Sequence, residues 1–281
     1  QMMGFLGDTM LINGQVSATA MVPRGIVRLR LLNGSNARIY TLSMSDDRAM
    51  HLVATDTGLL DKPIELNELT LSPGERYEVL VDFGDGKDVS LISQQSTNMG
   101  MMGGGMMGGR RAAGPPFEIL PFKVDTALNA RIAALPLDLG GSRPDMDETK
   151  ATRRKVTLDM GMGPGMMMRR SSNRFSINGR SFDMRRTDFT IQRGALERWS
   201  VSANMMMHPF HVHGVTFQVL SENGRAPNPQ NTGWKDTVLI DGRAELLMRF
   251  DQPASEALPF MFHCHILEHE DGGMMGQFAV V

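Results

Sequence analysis

Apolar and polar residues alternate with a period of about two through much of this chain, the pattern of strands that bury one face. Ile26–Leu32, Glu75–Phe83, Glu118–Val124, Lys155–Asp159, Leu196–Ser202, Val215–Ser221 and Glu245–Phe250 read as such strands. Gly, Pro, Asn and Asp separate them, and sustained helical periodicity is almost lacking. Short, evenly spaced strands with turn signals predict an all-β chain of antiparallel sandwiches or barrels.

The segments also repeat in order, which predicts two copies of one unit. Ile12-Asn13-Gly14 returns as Ile177-Asn178-Gly179, Val27–Asn33 as Leu196–Asn204, and Gly74–Phe83 as Gly242–Phe250. Alternation fades in a Pro/Gly/Ala-rich stretch, so we divide the chain into a first domain at 1–126, a linker at 127–150 and a second domain at 151–281. The first domain is expected to lack its first strand. Because the chain opens on Gln1 and soon reads as strand and turn, we expect it to be a piece of something longer.

A net charge of −2 over 281 residues gives no reason to expect nucleic acid or an anionic membrane surface as partner. No apolar run approaches the roughly 18 residues of a spanning helix, and no signal-peptide pattern is visible. The single cysteine rules out an internal disulfide. Methionine is the outlier, at 25 residues, and Met99–Met107 and Met160–Met168 hold five each among glycines. Glycine at that density supports neither helix nor strand, so both read as loops. They are plain linkers, or soft thioether traps for Cu(I).

Six of the seven histidines fall within 208–213 and 263–269, the second group around Cys264. In an extended His263-Cys264-His265, the thiol points one way and both imidazoles the other. His211 and His213 likewise share a face, and His208, beyond Pro209, can point to the opposite side. The expected grouping is His208, Cys264 and His269 as strong ligands with Met274 as a long axial one. His211, His213, His263 and His265 would form a second cluster. One thiolate, imidazoles and a weak thioether make the donor set of an electron-transfer copper site. Zinc is the rival, but it has no redox chemistry and prefers four strong ligands. His51, alone in its region, is expected to be structural.

HPFHVHG (208–214) and HCHILEHEDGGMM (263–275) resemble the third and fourth copper motifs of the three-domain multicopper oxidases, laccase-like enzymes, most of all the bacterial copper efflux (CueO-type) branch. Asn33–Arg38, Pro73–Tyr77, Ser221–Gly224 and Gly233–Thr237 extend the resemblance over nearly the whole chain. It implies two cupredoxin-like Greek-key domains, the middle and the last of three. It implies that His208, Cys264, His269 and Met274 hold type 1 copper, His211 type 2 copper, and His213, His263 and His265 the binuclear type 3 pair. Glu270 matches an acid implicated in proton delivery, and Met160 and Met206 are candidates for a substrate Cu(I) site. Asn204 stands where that branch has an acidic ligand.

The family's first domain supplies two further HxH motifs, and none precedes residue 208 here. The expected function is therefore the middle and C-terminal part of an oxidase. It would take electrons from Cu(I) or a phenolic or diamine substrate through Cys264 and reduce O2 to water at a trinuclear cluster. An N-terminal domain outside this sequence would complete that cluster, in the periplasm and in copper tolerance. The rival readings are a copper electron-transfer or storage module without oxidase activity, and a two-domain laccase completed by a neighbouring subunit.

Overall fold

The structure, a computed structural model, describes residues 3–95, 113–142, 146–161, 175–203 and 206–281. It is almost entirely β and cupredoxin-like. Residues 20–125 build a five-stranded sheet, in the order Ala20–Pro23, Ala113–Asp125, Val89–Gln95, Tyr40–Met44, Leu69–Leu71. A four-stranded one accompanies it, in the order Ile26–Leu32, Arg76–Asp82, Met50–Thr55, Gly58–Leu66. Residues 152–280 build two five-stranded sheets. One runs Phe175–Ile177, Thr152–Met160, Leu196–Ala203, Arg243–Arg249, Phe217–Glu222. The other runs Phe189–Ile191, Met275–Val280, Phe260–Cys264, His208–Val212, Thr237–Ile240.

The repeat in the sequence is a repeat of connectivity. Ile26–Leu32 pairs antiparallel with Arg76–Asp82, as Leu196–Ala203 does with Arg243–Arg249. Asn13-Gly14 and Asn178-Gly179 both take positive φ, the form that two-residue hairpins require. The copies differ at one edge. Thr152–Met160 runs parallel to Leu196–Ala203, whereas among the described residues Ile26–Leu32 has only an isolated bridge to Ile132 on that side. The strand expected at Val215–Ser221 starts later, at Phe217. Gly214 turns at φ +71° against the Phe260 ring, so the chain becomes extended only beyond that corner.

Each sandwich is filled by the inward half of its strands. Leu196–Ala203 alternates strictly between half-buried and buried positions, and Trp199 is its anchor. Phe189, Phe210, Phe250, Phe262 and Phe278 surround that indole with centroids 5.6–6.4 Å away, spacings that suit aromatic packing. Trp199 Nε1 donates to Glu197 Oε2 at 2.7 Å, and Arg154 neutralises Glu197 through two 2.7 Å bonds. The first core packs Tyr77, Phe83 and Phe122 among Leu, Val and Met.

Candidate metal centres

His208–Val212 lies between Thr237–Ile240 and Phe260–Cys264, in a register that sets Phe210 opposite Cys264 and His211 opposite His263. Alternation then sends His208, Phe210, Val212 and Cys264 into the sandwich, where all are fully buried. His211, His213, His263 and His265 fall on the opposite face.

On the buried side, His208 Nδ1 lies 3.4 Å from Cys264 Sγ, His269 Nδ1 lies 3.6 Å from the same sulfur, and the two Nδ1 atoms are 3.2 Å apart. The short Leu267–Asp271 helix returns His269 to the site, and Phe175 stacks on its ring at 4.4 Å. Met274 is tied in by its backbone, which donates to His269 O at 2.8 Å and accepts from Cys264 N at 3.1 Å, and its side chain is fully buried. Burial, then the charge of His269, lowers the His208 pKa to about 3. Burial pushes the Cys264 thiol up. Three donor atoms thus converge where protons are disfavoured on the imidazole and thiolate charge is disfavoured without a cation. A metal ion resolves that conflict, because it deprotonates a coordinating thiol.

On the other face, donor nitrogens of His211, His213 and His263 all lie within 4.8 Å of one another. His213 Nε2 and His263 Nε2 approach to 3.1 Å. The far sides of the rings are held: His211 Nδ1 lies 2.9 Å from Asp236 O and 2.9 Å from Thr237 Oγ1. His263 Nδ1 lies 3.0 Å from Cys264 O and 3.2 Å from Glu270 Oε2. Such contacts fix tautomer and ring orientation in metal sites. Burial, followed by the His211 and His263 charges, lowers His213 to about 4, and the His263 hydrogen bond lowers Glu270.

His265 lies beside that trio on the same face. Its ring lies 5.7 Å from His263 and 6.0 Å from His211, and it packs on Gly74. Met160 is half-buried against the second core and Met206 is buried in it. Asn204, Met99–Met107 and positions 162–168 lie outside the described residues. His51 is half-buried on Met50–Thr55, away from both groups.

Sequence reasoning missed the groups behind the histidines. Arg76 binds Asp236 at 2.6 and 2.8 Å, and the Lys235 ammonium sits among Asp56, Glu75 and Tyr77. All but Asp56 occur in GERY (74–77) and GWKDT (233–237), the motifs that carry the family resemblance. Charged residues placed within otherwise apolar strand patterns were the available signal.

Residues 2–102 and 152–281 each match a family model described as multicopper oxidase. Curated relatives include the cell division protein FtsP of Rahnella, 42% identical over 282 residues, and that of Photorhabdus laumondii, 38% identical over 283. Each match covers 99% of this chain and 56% of the relative, so the chain spans about half the length of the curated relatives it matches. Among solved structures, a bacterial laccase-like multicopper oxidase CueO from Ochrobactrum superposes with a TM-score of 0.88 at 41% identity. That match covers all of this chain and 61% of the other. A laccase from Pediococcus acidilactici gives 0.79 at 31%, covering 99% and 55%. Among the described residues, no helix is long and apolar enough to cross a membrane.

Proposed function

Since the chain belongs to the multicopper oxidase family, we propose that it is the part of an oxidase that carries the type 1 copper and half of the trinuclear ligands. His208, Cys264, His269 and Met274 would hold type 1 copper, His211 type 2 copper, and His213, His263 and His265 the type 3 pair. The observation that carries this reading is the sharing of one strand. Cys264 belongs to the buried trio, while its covalent neighbours face the other histidines. A buried thiol, two imidazole nitrogens within 3.6 Å of it and an adjacent thioether residue fit a soft copper site better than a zinc site.

Bound copper would supply one-electron chemistry, taking single electrons from a reductant and delivering four, with four protons, to O2 to give two waters. The chain's own contribution is positional. Cys264 and its neighbours join the two sites through a few covalent bonds of one strand. Burial around His208 and Cys264 excludes water from the first site. Glu270 Oε2, at 3.2 Å from His263 Nδ1, orients that ring and, as a carboxylate that the same contact favours in its ionised form, can accept and pass on a proton at the edge of the second.

Cu(I), or a phenolic or diamine compound, is the reductant this reading favours, with Met160 and Met206 on the type 1 side. An N-terminal cupredoxin domain would provide the remaining ligands, and a periplasmic location suits copper handling. The relatives named as cell division proteins favour a second reading, a copper-binding protein of cell division without oxidase activity. Copper counting and O2 uptake on the full-length protein separate the two. Four coppers per molecule, a visible copper–thiolate absorption band and O2 consumption with Cu(I) support the oxidase. One copper or none, with no O2 uptake, defeats it.

A further inference from the structure

Among the described residues the first unit adds no ligand to the two histidine groups, yet its turn at 72–77 reaches the histidine face of the second unit at two points. Gly74 lies against the His265 ring: a methyl group there would stand 2.5 Å from Cδ2 and 2.7 Å from Nε2. Its φ of +83° also disfavours any side chain. Two residues later, Arg76 grips Asp236 with Nη1 at 2.6 Å from Oδ1 and Nη2 at 2.8 Å from Oδ2. Asp236 backs His211 twice. Its carbonyl oxygen lies 2.9 Å from His211 Nδ1, and its carboxylate accepts at 2.9 Å from Thr237 Oγ1, which is itself 2.9 Å from that nitrogen.

The turn is anchored by a buried ionic group that spans the two units. Lys235 Nζ lies 3.2 Å from Asp56 Oδ2, 3.2 Å from Glu75 Oε1 and 2.8 Å from Tyr77 Oη. Asp56 Oδ1 accepts from Arg76 N at 2.8 Å, and Glu75 Oε2 from Ser72 N at 2.8 Å. Bidentate Arg–carboxylate geometry restricts rotation of both partners. A histidine whose Nδ1 is held can aim Nε2 in one direction only.

We propose that Gly74 and Arg76 of the first unit are positioning residues for the candidate trinuclear face. Gly74 confines the His265 ring, and Arg76 holds Asp236 behind His211. The inference rests on the oxidase reading in calling that face trinuclear; the ring positions are properties of this chain.

The test uses the full-length protein with Arg76→Ala, Arg76→Lys and Gly74→Ala, loaded with Cu(II) and also metal-free. In the copper-loaded Arg76→Ala protein, the type 2 EPR signal should be lost or change its hyperfine splitting. Reoxidation by O2 should slow at least tenfold while the visible thiolate band is retained. Arg76→Lys, which keeps the charge but not the fork, should fall between. Gly74→Ala should lower copper content at the cluster and leave the type 1 band. In the metal-free protein, 15N-resolved histidine spectra should show one protonated Nδ1 at His211 in the wild type and a tautomer mixture in Arg76→Ala.

Wild-type EPR, copper content and ring spectra in both Arg76→Ala and Gly74→Ala would overturn the proposal. Loss of the visible band would mark a misfolded variant, and Arg76→Lys then decides by the same spectra. A wild-type protein without type 2 signal would defeat the oxidase reading instead, and the ring spectra would still judge the positioning.

Discussion

His211 and His263 face each other across two antiparallel strands, and one residue along each strand Phe210 faces Cys264. That register joins the two candidate sites. A shift by one residue would turn Cys264 out and the imidazoles in. The large buried rings of Phe210 and Phe262 hold it in place, because moving either outward exposes a full aromatic side chain.

Cys264→Ser should remove the visible thiolate band and reduce turnover to background while both sandwiches stay folded. Serine is nearly isosteric and accepts the same Ile266 N–H contact, 3.5 Å from sulfur in the wild type. Hydroxyl oxygen, however, does not form the soft copper bond. Absorbance, O2 uptake and thermal unfolding of the metal-free protein check this. Retained turnover would disprove a route through Cys264.

The histidine groups were legible because strand parity converts spacing into sides: 208 and 264 inward, 211, 213 and 263 outward. The strand-turn repeat was legible for a similar local reason, since Asn-Gly demands positive φ wherever it closes a hairpin. Parity also put His265 on the second face, but that its ring lies against Gly74 of the other unit is a contact no local pattern could show. Asp236, Arg76 and Lys235 act through contacts between units more than 150 residues apart in sequence, and no local pattern carries that information.

Lys235→Met should destabilise the protein strongly. The Lys235 side chain and its partners Asp56 and Glu75 are all at most 1% exposed. Burial opposes the lysine charge, but Tyr77, Glu75 and Asp56 outweigh it and raise the pKa. Removing the cation strips both buried carboxylates of their ammonium partner, a loss of about 3–5 kcal/mol. Arg30→Ala, which removes an 82%-exposed partner of Glu78, should cost no more than about 1 kcal/mol. Urea unfolding of the two variants gives the comparison, and equal midpoints would refute the role assigned to Lys235.

The metal-free protein should lose stability on mild acidification. His208 and His213 have folded pKa values of about 3 and about 4, below the ordinary 6.5. Unfolded chains therefore bind these protons first. Stability is full above about pH 6.5 and falls as pH drops toward 4, by at most about 1.4 kcal/mol per pH unit for each proton. Melting temperatures at pH 7.5, 6 and 5 test the sign. His208→Gln should flatten part of the slope, and an unchanged slope would remove His208 from the account.

Glu270→Gln should slow O2 reduction about 100-fold or more, the scale expected for losing a positioned proton-transfer group. The rate at which substrate reduces the type 1 site should be unchanged. Glutamine keeps the size of the side chain and an acceptor oxygen near His263 Nδ1, but it loses the charge and the exchangeable proton. A purely orienting Glu270 would therefore tolerate the change well. A proton-donating one would not, and its defect would grow as pH rises and solvent protons become scarce. Stopped-flow reduction and reoxidation at several pH values separate these roles. Wild-type reoxidation throughout would remove the proton-transfer role and leave Glu270 only its orienting contact with His263.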